Sequence, residues 1–142
     1  MAVPRPSPHA DTRAVLAAND ELYRAFESYD LARLDRIWVQ ADRTTCMHPS
    51  WQLVRGWKAV RESFVAIFAE PEKLRFTLTN VGVQIRGDLA WVTLCENISS
   101  GTLATRLSGQ TMMATNILER GDDSRWRVVH HHASPMPKHN PR

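Results

Sequence analysis

Cysteine is scarce in this chain, and the two that occur, Cys46 and Cys95, are too few for a disulfide framework. They read as reduced, partly buried thiols of a cytoplasmic protein, and no stretch has the apolar core of a secretory signal. No run approaches the roughly 20 apolar residues of a membrane span, so no membrane partner is expected. Clustered charge of one sign is missing too. The formal net charge is +3, but Arg5, Lys138 and Arg142 sit in tails without Asp or Glu, which leaves 15 basic against 15 acidic side chains in residues 11–137. A groove that tracks phosphates needs grouped Lys and Arg, so nucleic acid is not an expected partner. Repeats and low-complexity tracts are absent apart from the Pro-rich ends. Pro4, Pro6 and Pro8, with Pro135, Pro137 and Pro141, deny those ends a regular helix or ladder. Residues 1–11 and 136–142 are therefore expected as tails around one domain over 12–135.

What is present suits a compact core, since 142 residues with 43% hydrophobic content can bury one. Val15, Ala18, Leu22, Phe26 and Tyr29 recur at steps of three and four, which predicts a helix from about Thr12 to Tyr29 with Tyr23 beside its stripe. Asp30 has the character of an N-cap for a second, shorter helix that buries Leu31, Leu34, Ile37 and Trp38. Thr44 to His48 is short and β-branched and reads as a strand stopped by Pro49, with Gln52 to Arg55 pairing back. After Gly56, the spacing of Trp57, Val60, Phe64, Ile67 and Phe68 predicts a third helix that ends at Glu70-Pro71. Extended runs follow: Arg75 to Arg86, Leu89 to Ser99, Thr102 to Glu119 and Trp126 to His132. Turns at Gly87-Asp88, Ser100-Gly101 and Gly121-Asp122 join them into an antiparallel meander. Gly82 and Gly109 mark places where so long a sheet bends. The expected class is α+β, a cone-shaped curled antiparallel sheet wrapped around N-terminal helices.

The histidine triplet on the last strand suggests a pocket. Strict alternation puts His130 and His132 on one face with Trp126 and Val128, and His131 on the other with Arg127 and Val129. Which face is concave stays open. Glu96 and Asn97, with Arg106, Gln110 and Asn116, are polar residues on long strands; Glu96 and Asn116 are taken as pocket-lining, the others as rim or solvent-facing. Trp38, Trp51 and Trp57 read either as an aromatic mouth around His48 or as core packing. A three-ligand metal site would need His48 with two of the triplet to converge; no metal or other cofactor is expected.

Four segments together carry a resemblance: Tyr29-Asp30-Leu31 after the first helix, Cys46-Met-His-Pro49, Val54-Arg-Gly-Trp57, and Trp126-Arg-Val-Val-His-His-His-Ala-Ser134. Over about residues 12 to 135 the chain resembles the nuclear transport factor 2-like superfamily, whose members include SnoaL-like proteins, ketosteroid isomerases and the association domain of calmodulin-dependent kinase. The resemblance implies a cystatin-like α+β barrel and a homodimer formed through the outer sheet face, where Leu89, Trp91, and Met112 or Met113 would otherwise be exposed. It also places His48 where the isomerases keep their proton-transfer group, a task that a neutral imidazole suits. The alternative for His48 is a hydrogen-bonded strand end. The isomerases' oxyanion donors correspond to Leu22 and Ala114, which cannot serve, although Tyr23 lies one residue from the first. Tyr23, Trp38, Trp51, Trp57, Glu96, Asn116, His130 and His132 are thus the expected pocket residues around His48. Two functions stay open: an isomerase, cyclase or dehydratase acting on a small molecule, or a non-catalytic domain that binds a small apolar or acidic ligand or serves assembly.

Overall fold

The computed structural model describes residues 7–100 and 109–137. Helix α1, Pro8–Ser28, begins four residues before Thr12. The cause is local: Ser7 Oγ accepts from Ala10 N at 3.2 Å, and Pro8 stands in the first turn, where its missing N–H has no helical partner to lose. The third proline of the N-terminal run starts the helix instead of barring it. Tyr29 closes α1 in the left-handed region at φ 57. Its hydroxyl donates to Glu72 O at 2.6 Å and accepts from Leu74 N at 3.0 Å, which ties the helix end to the first long strand. Asp30 caps α2, Leu31–Ile37, by accepting from Ala32 N at 3.0 Å.

Strands β1, Thr45–Met47, and β2, Val54–Arg55, precede α3, Trp57–Phe68. Gly56 enters α3 at φ 85, a conformation that favours glycine. Strands β3, Leu74–Arg86, β4, Leu89–Ser100, β5, Thr111–Arg120, and β6, Trp126–Pro135, complete the chain. Of the expected run from Thr102, residues 102–108 lie outside the described residues, and with them Gly101 of the expected turn and Arg106.

The six strands form one curled, unclosed sheet in the order β2-β1-β6-β5-β4-β3. The meander from β3 to β6 is antiparallel, as expected, but β1 lies parallel to β6. A parallel pair needs a long crossover, and here all of α3 and the meander intervene. A register shift between Thr79 and Gly82 bends β3 at the anticipated glycine. A second shift was not readable from the sequence. Ile117 pairs with His130 and Leu118 with Val128, so Val129 is an extra residue without a partner on β5.

The helices pack on the inner face. Leu22 and Val15 of α1, Leu34 of α2 and Val60 and Phe64 of α3 are buried against Val92, Leu94, Met112, Leu118 and Val128 of the sheet. Each such side chain contributes about 1.5–3 kcal/mol by leaving water. Phe26 sets its ring edge-on to Phe64, Phe68 and Phe76 at centroid distances of 5.0–6.0 Å. Arg120 bridges Asp11 at 2.8 Å and Asp88 at 2.9 Å, joining the start of α1 to the β3–β4 turn. Among the described residues no helix is long and apolar enough to cross a membrane.

Candidate functional site

Strand parity decides which polar groups meet inside. Along β4 the buried residues are Ala90, Val92, Leu94, Glu96 and Ile98, and along β5 they are Met112, Ala114, Asn116 and Leu118. On β6 the unpaired Val129 reverses the alternation. Trp126 and Val128 face inward, and beyond the bulge His131 and Ala133 take the inward places. The expected grouping of His130 and His132 with Trp126 and Val128 is therefore corrected: it assumed unbroken alternation.

A cavity of about 110 Å³ lies between the helices and this inner face. Leu22, Tyr23 and Phe26 of α1 and Phe64 and Ile67 of α3 form one side. Leu74, Phe76, Glu96, Ile98 and His131 come from the sheet, and His48, Pro49 and Trp51 from the loop after β1. Trp51 is 43% exposed and stands at the mouth, its ring edge-on to His48 at 5.1 Å.

The polar groups at the cavity are fixed by a buried network. Asn116 Nδ2 donates to Asn19 Oδ1 at 2.8 Å and to Tyr23 Oη at 3.1 Å. With both amide hydrogens used, Asn116 Oδ1 accepts, and its partner at 2.5 Å is His131 Nδ1, which must carry the proton. His131 Nε2 then holds a lone pair, 3.8 Å from Glu96 Oε2. Tyr23 donates its hydroxyl proton to that same oxygen at 2.5 Å. Glu96 Oε1 has no hydrogen-bond partner among the described residues. His48 is held in the same manner: Ser63 Oγ donates to Val60 O at 2.6 Å, so it accepts from His48 Nε2–H at 2.9 Å. That leaves the lone pair on Nδ1; Cys46 Sγ lies beside the ring, 3.6 Å from Nε2 and 3.9 Å from Nδ1.

Burial sets the charge states. It raises the Glu96 carboxyl to about 7, against the opposing hydrogen bond from Tyr23. It lowers His48 to about 4 and His131 to about 3, the latter aided by the neighbouring histidines. The Tyr23 and Cys46 protons are held well above their ordinary range, again chiefly by desolvation. Near neutral pH both histidines are uncharged, and the Glu96 carboxyl is divided between its protonated and ionised forms.

Several expected residues stand elsewhere. Trp38 is fully buried in the core, stacked on Trp57 at 6.0 Å, and neither lines the cavity. Asn116 lies behind the wall and orients His131 and Tyr23. His130 and His132 are half-buried on the outer face, where His130 Nδ1 meets Thr45 Oγ1 at 2.6 Å. Asn97 is also outside, donating to Thr77 O and Thr79 Oγ1. The sheet separates His130 and His132 from His48, so three histidines do not converge, and among the described residues no group of three His, Cys, Asp or Glu is placed to hold a metal. His131, Asn19 and Ser63 were missed. Asn19 and Ser63 did leave a signal, as polar residues beside the apolar stripes of α1 and α3, whereas His131 depends on the bulge.

The fold is that of an NTF2-like, cystatin-like α+β domain. Residues 15–138 match the SnoaL-like domain family, and the chain belongs to it. It is 30% identical over 128 residues to the F-box protein SKIP8 of Arabidopsis thaliana. That match covers 90% of this chain and 52% of the plant protein, so the chain spans about half the length of the curated relative it matches. Among solved structures, a proposed dehydratase from the NTF2-like family of Streptomyces avermitilis is 37% identical, with a TM-score of 0.83 over 92% of this chain and 99% of that one. The CaMKII hub of S. rosetta is 26% identical, with a TM-score of 0.74 over 94% and 100% of the two chains. Likeness to ketosteroid-isomerase-type and other cystatin-like structures at lower identity shows the fold alone.

Proposed function

We propose that the domain is a small-molecule enzyme of the isomerase or dehydratase type, with Glu96 as its principal acid and base and His48 as a second proton-transfer group. One observation carries this reading: a buried carboxyl whose titration burial raises to near neutrality, one oxygen held by Tyr23 and the other without a partner among the described residues, at the wall of an apolar cavity. Protonated, Glu96 gives its proton to a carbonyl or to a departing hydroxyl; ionised, it takes one from the carbon beside a carbonyl. Neutral His48, its Nε2–H engaged by Ser63, contributes the lone pair of Nδ1. The dehydratase role proposed for the Streptomyces relative supports the same chemistry.

The test is exchange of the α-hydrogens of cyclohexanone in D2O, followed by NMR. Glu96→Gln should lower the enzyme-dependent rate at least 100-fold and His48→Ala about tenfold or more, with both variants folded. Rates equal to the parent's would remove those residues from the chemistry.

A second reading rests on a separate observation. The outer sheet face exposes Leu89 and Met113 at 42% and 49%, which supports self-association through this face. The kinase hub among the structural relatives agrees with it.

A further inference from the structure

The size and charge of the cavity restrict what enters it, whichever reaction follows. The volume of about 110 Å³ is below the roughly 150 Å³ of an apolar cavity that takes up one benzene, so a single six-membered ring already fills it and leaves its outer edge at the mouth. Four of its lining residues, Leu22, Phe64, Phe76 and Ile98, are buried, and each belongs to a different element of the core. The partly exposed lining residues are those near Trp51 and Leu74, so a larger molecule would have to extend outward through the mouth. The rings of Phe26, Phe64 and Phe76 suit the faces and edges of a six-membered ring.

Charge is the second restriction. Among the described residues no Lys or Arg lines the cavity, and its ionisable groups are Tyr23, His48, Glu96 and His131. Both histidines resist protonation because of burial, and Glu96 is either neutral or negative. A bound carboxylate would find no cation and, once Glu96 ionises, a like charge. Burying it unpaired is costly. A neutral oxygen, by contrast, can accept from the Glu96 carboxyl.

We infer that the ligand of this cavity is a neutral molecule of about one six-membered ring carrying a single carbonyl or hydroxyl oxygen, and that the site rejects carboxylates and fused-ring systems. The inference takes its location from the proposed active site but does not depend on turnover there. Of the two expected ligand classes, apolar and acidic, the inference favours the first.

Binding of cyclohexanone, cyclohexanecarboxylate and 2-decalone to the full chain at pH 6, measured by calorimetry or ligand-observed NMR, tests it. Cyclohexanone should bind at least tenfold more tightly than either of the others, and Glu96→Gln, whose amide still donates, should keep the preference over 2-decalone. Equal or tighter binding of the carboxylate overturns the charge restriction, and equal or tighter binding of 2-decalone overturns the size restriction. Failure of cyclohexanone to bind overturns both. If the order holds while α-hydrogen exchange is not accelerated, the enzyme reading falls and the ligand class stands.

Discussion

Tyr23 and Glu96, 73 positions apart in the chain, share a hydrogen bond of 2.5 Å between α1 and β4, with the phenol as donor. The bond does two things. It holds the Glu96 carboxyl at the cavity wall, and it counteracts the rise that burial imposes on its titration.

Tyr23→Phe separates those effects. Without the donor, the Glu96 titration should move above about 7, and Asn116 Nδ2 loses one acceptor. Carboxyl carbon shifts in NMR follow the first effect. Urea unfolding should show a loss of about 1–2 kcal/mol, the usual cost of a broken buried hydrogen bond.

The dependence of stability on pH follows from three buried groups with opposite signs. Glu96 rises from an ordinary 4.5 to about 7, so its contribution is full below about 4.5 and is lost as pH rises through about 7. His48 and His131 fall from 6.5 to about 4 and about 3, so theirs is full above 6.5 and is lost as pH falls toward those values. The two histidines outweigh the one carboxyl in mild acid, and stability should climb from pH 5 to a plateau near pH 7. Glu96→Gln removes the opposing group, so its climb between pH 5 and 7 should exceed the parent's by about 2 kcal/mol. Equal slopes in chemical denaturation across that range would show that Glu96 titrates normally.

His131 and His132 are chemically identical neighbours with different surroundings. His131→Ala strips Asn116 Oδ1 of its donor and opens space at a buried site, for a loss of about 2–4 kcal/mol. His132→Ala changes a half-buried outer position and should cost under about 0.5 kcal/mol. Denaturation midpoints of the two variants decide between the observed strand parity and uninterrupted alternation.

Much of this fold is legible in residue order because periodicity and punctuation agree: the stripes of α1 and α3, the cap at Asp30, and the turn at Gly87-Asp88 each follow from local chemistry. The pocket was read less well. Trp38 and Trp57 carry the same apolar signal whether they pack on each other or line a cavity. Glu96 was placed on the right strand, but its bond to Tyr23 joins segments that only the tertiary fold brings together. The bulge at Val129 has no marker residue of its own, so the inward histidine could not be chosen from the sequence.

The outer face gives a further prediction. Met112 is fully buried and Met113 is 49% exposed, so adjacent methionines report on different surfaces. If copies associate through this face, light scattering should give a dimer for the parent chain and a monomer for Met113→Asp, with the melting temperature retained. Met112→Asp places an unpaired charge in the core and should unfold the domain. A monomeric parent at tens of micromolar would remove the assembly reading.

Slippage by one residue ordinarily turns a strand's whole inward row outward. In β6 the three consecutive imidazoles make one position indifferent to that error. Should the bulge shift by a place, His130 or His132 would arrive where His131 now stands, and the group displaced outward would again be a histidine. A triple repeat of one side chain thus works as redundancy, keeping an imidazole against the cavity through the gain or loss of a single residue in the strand.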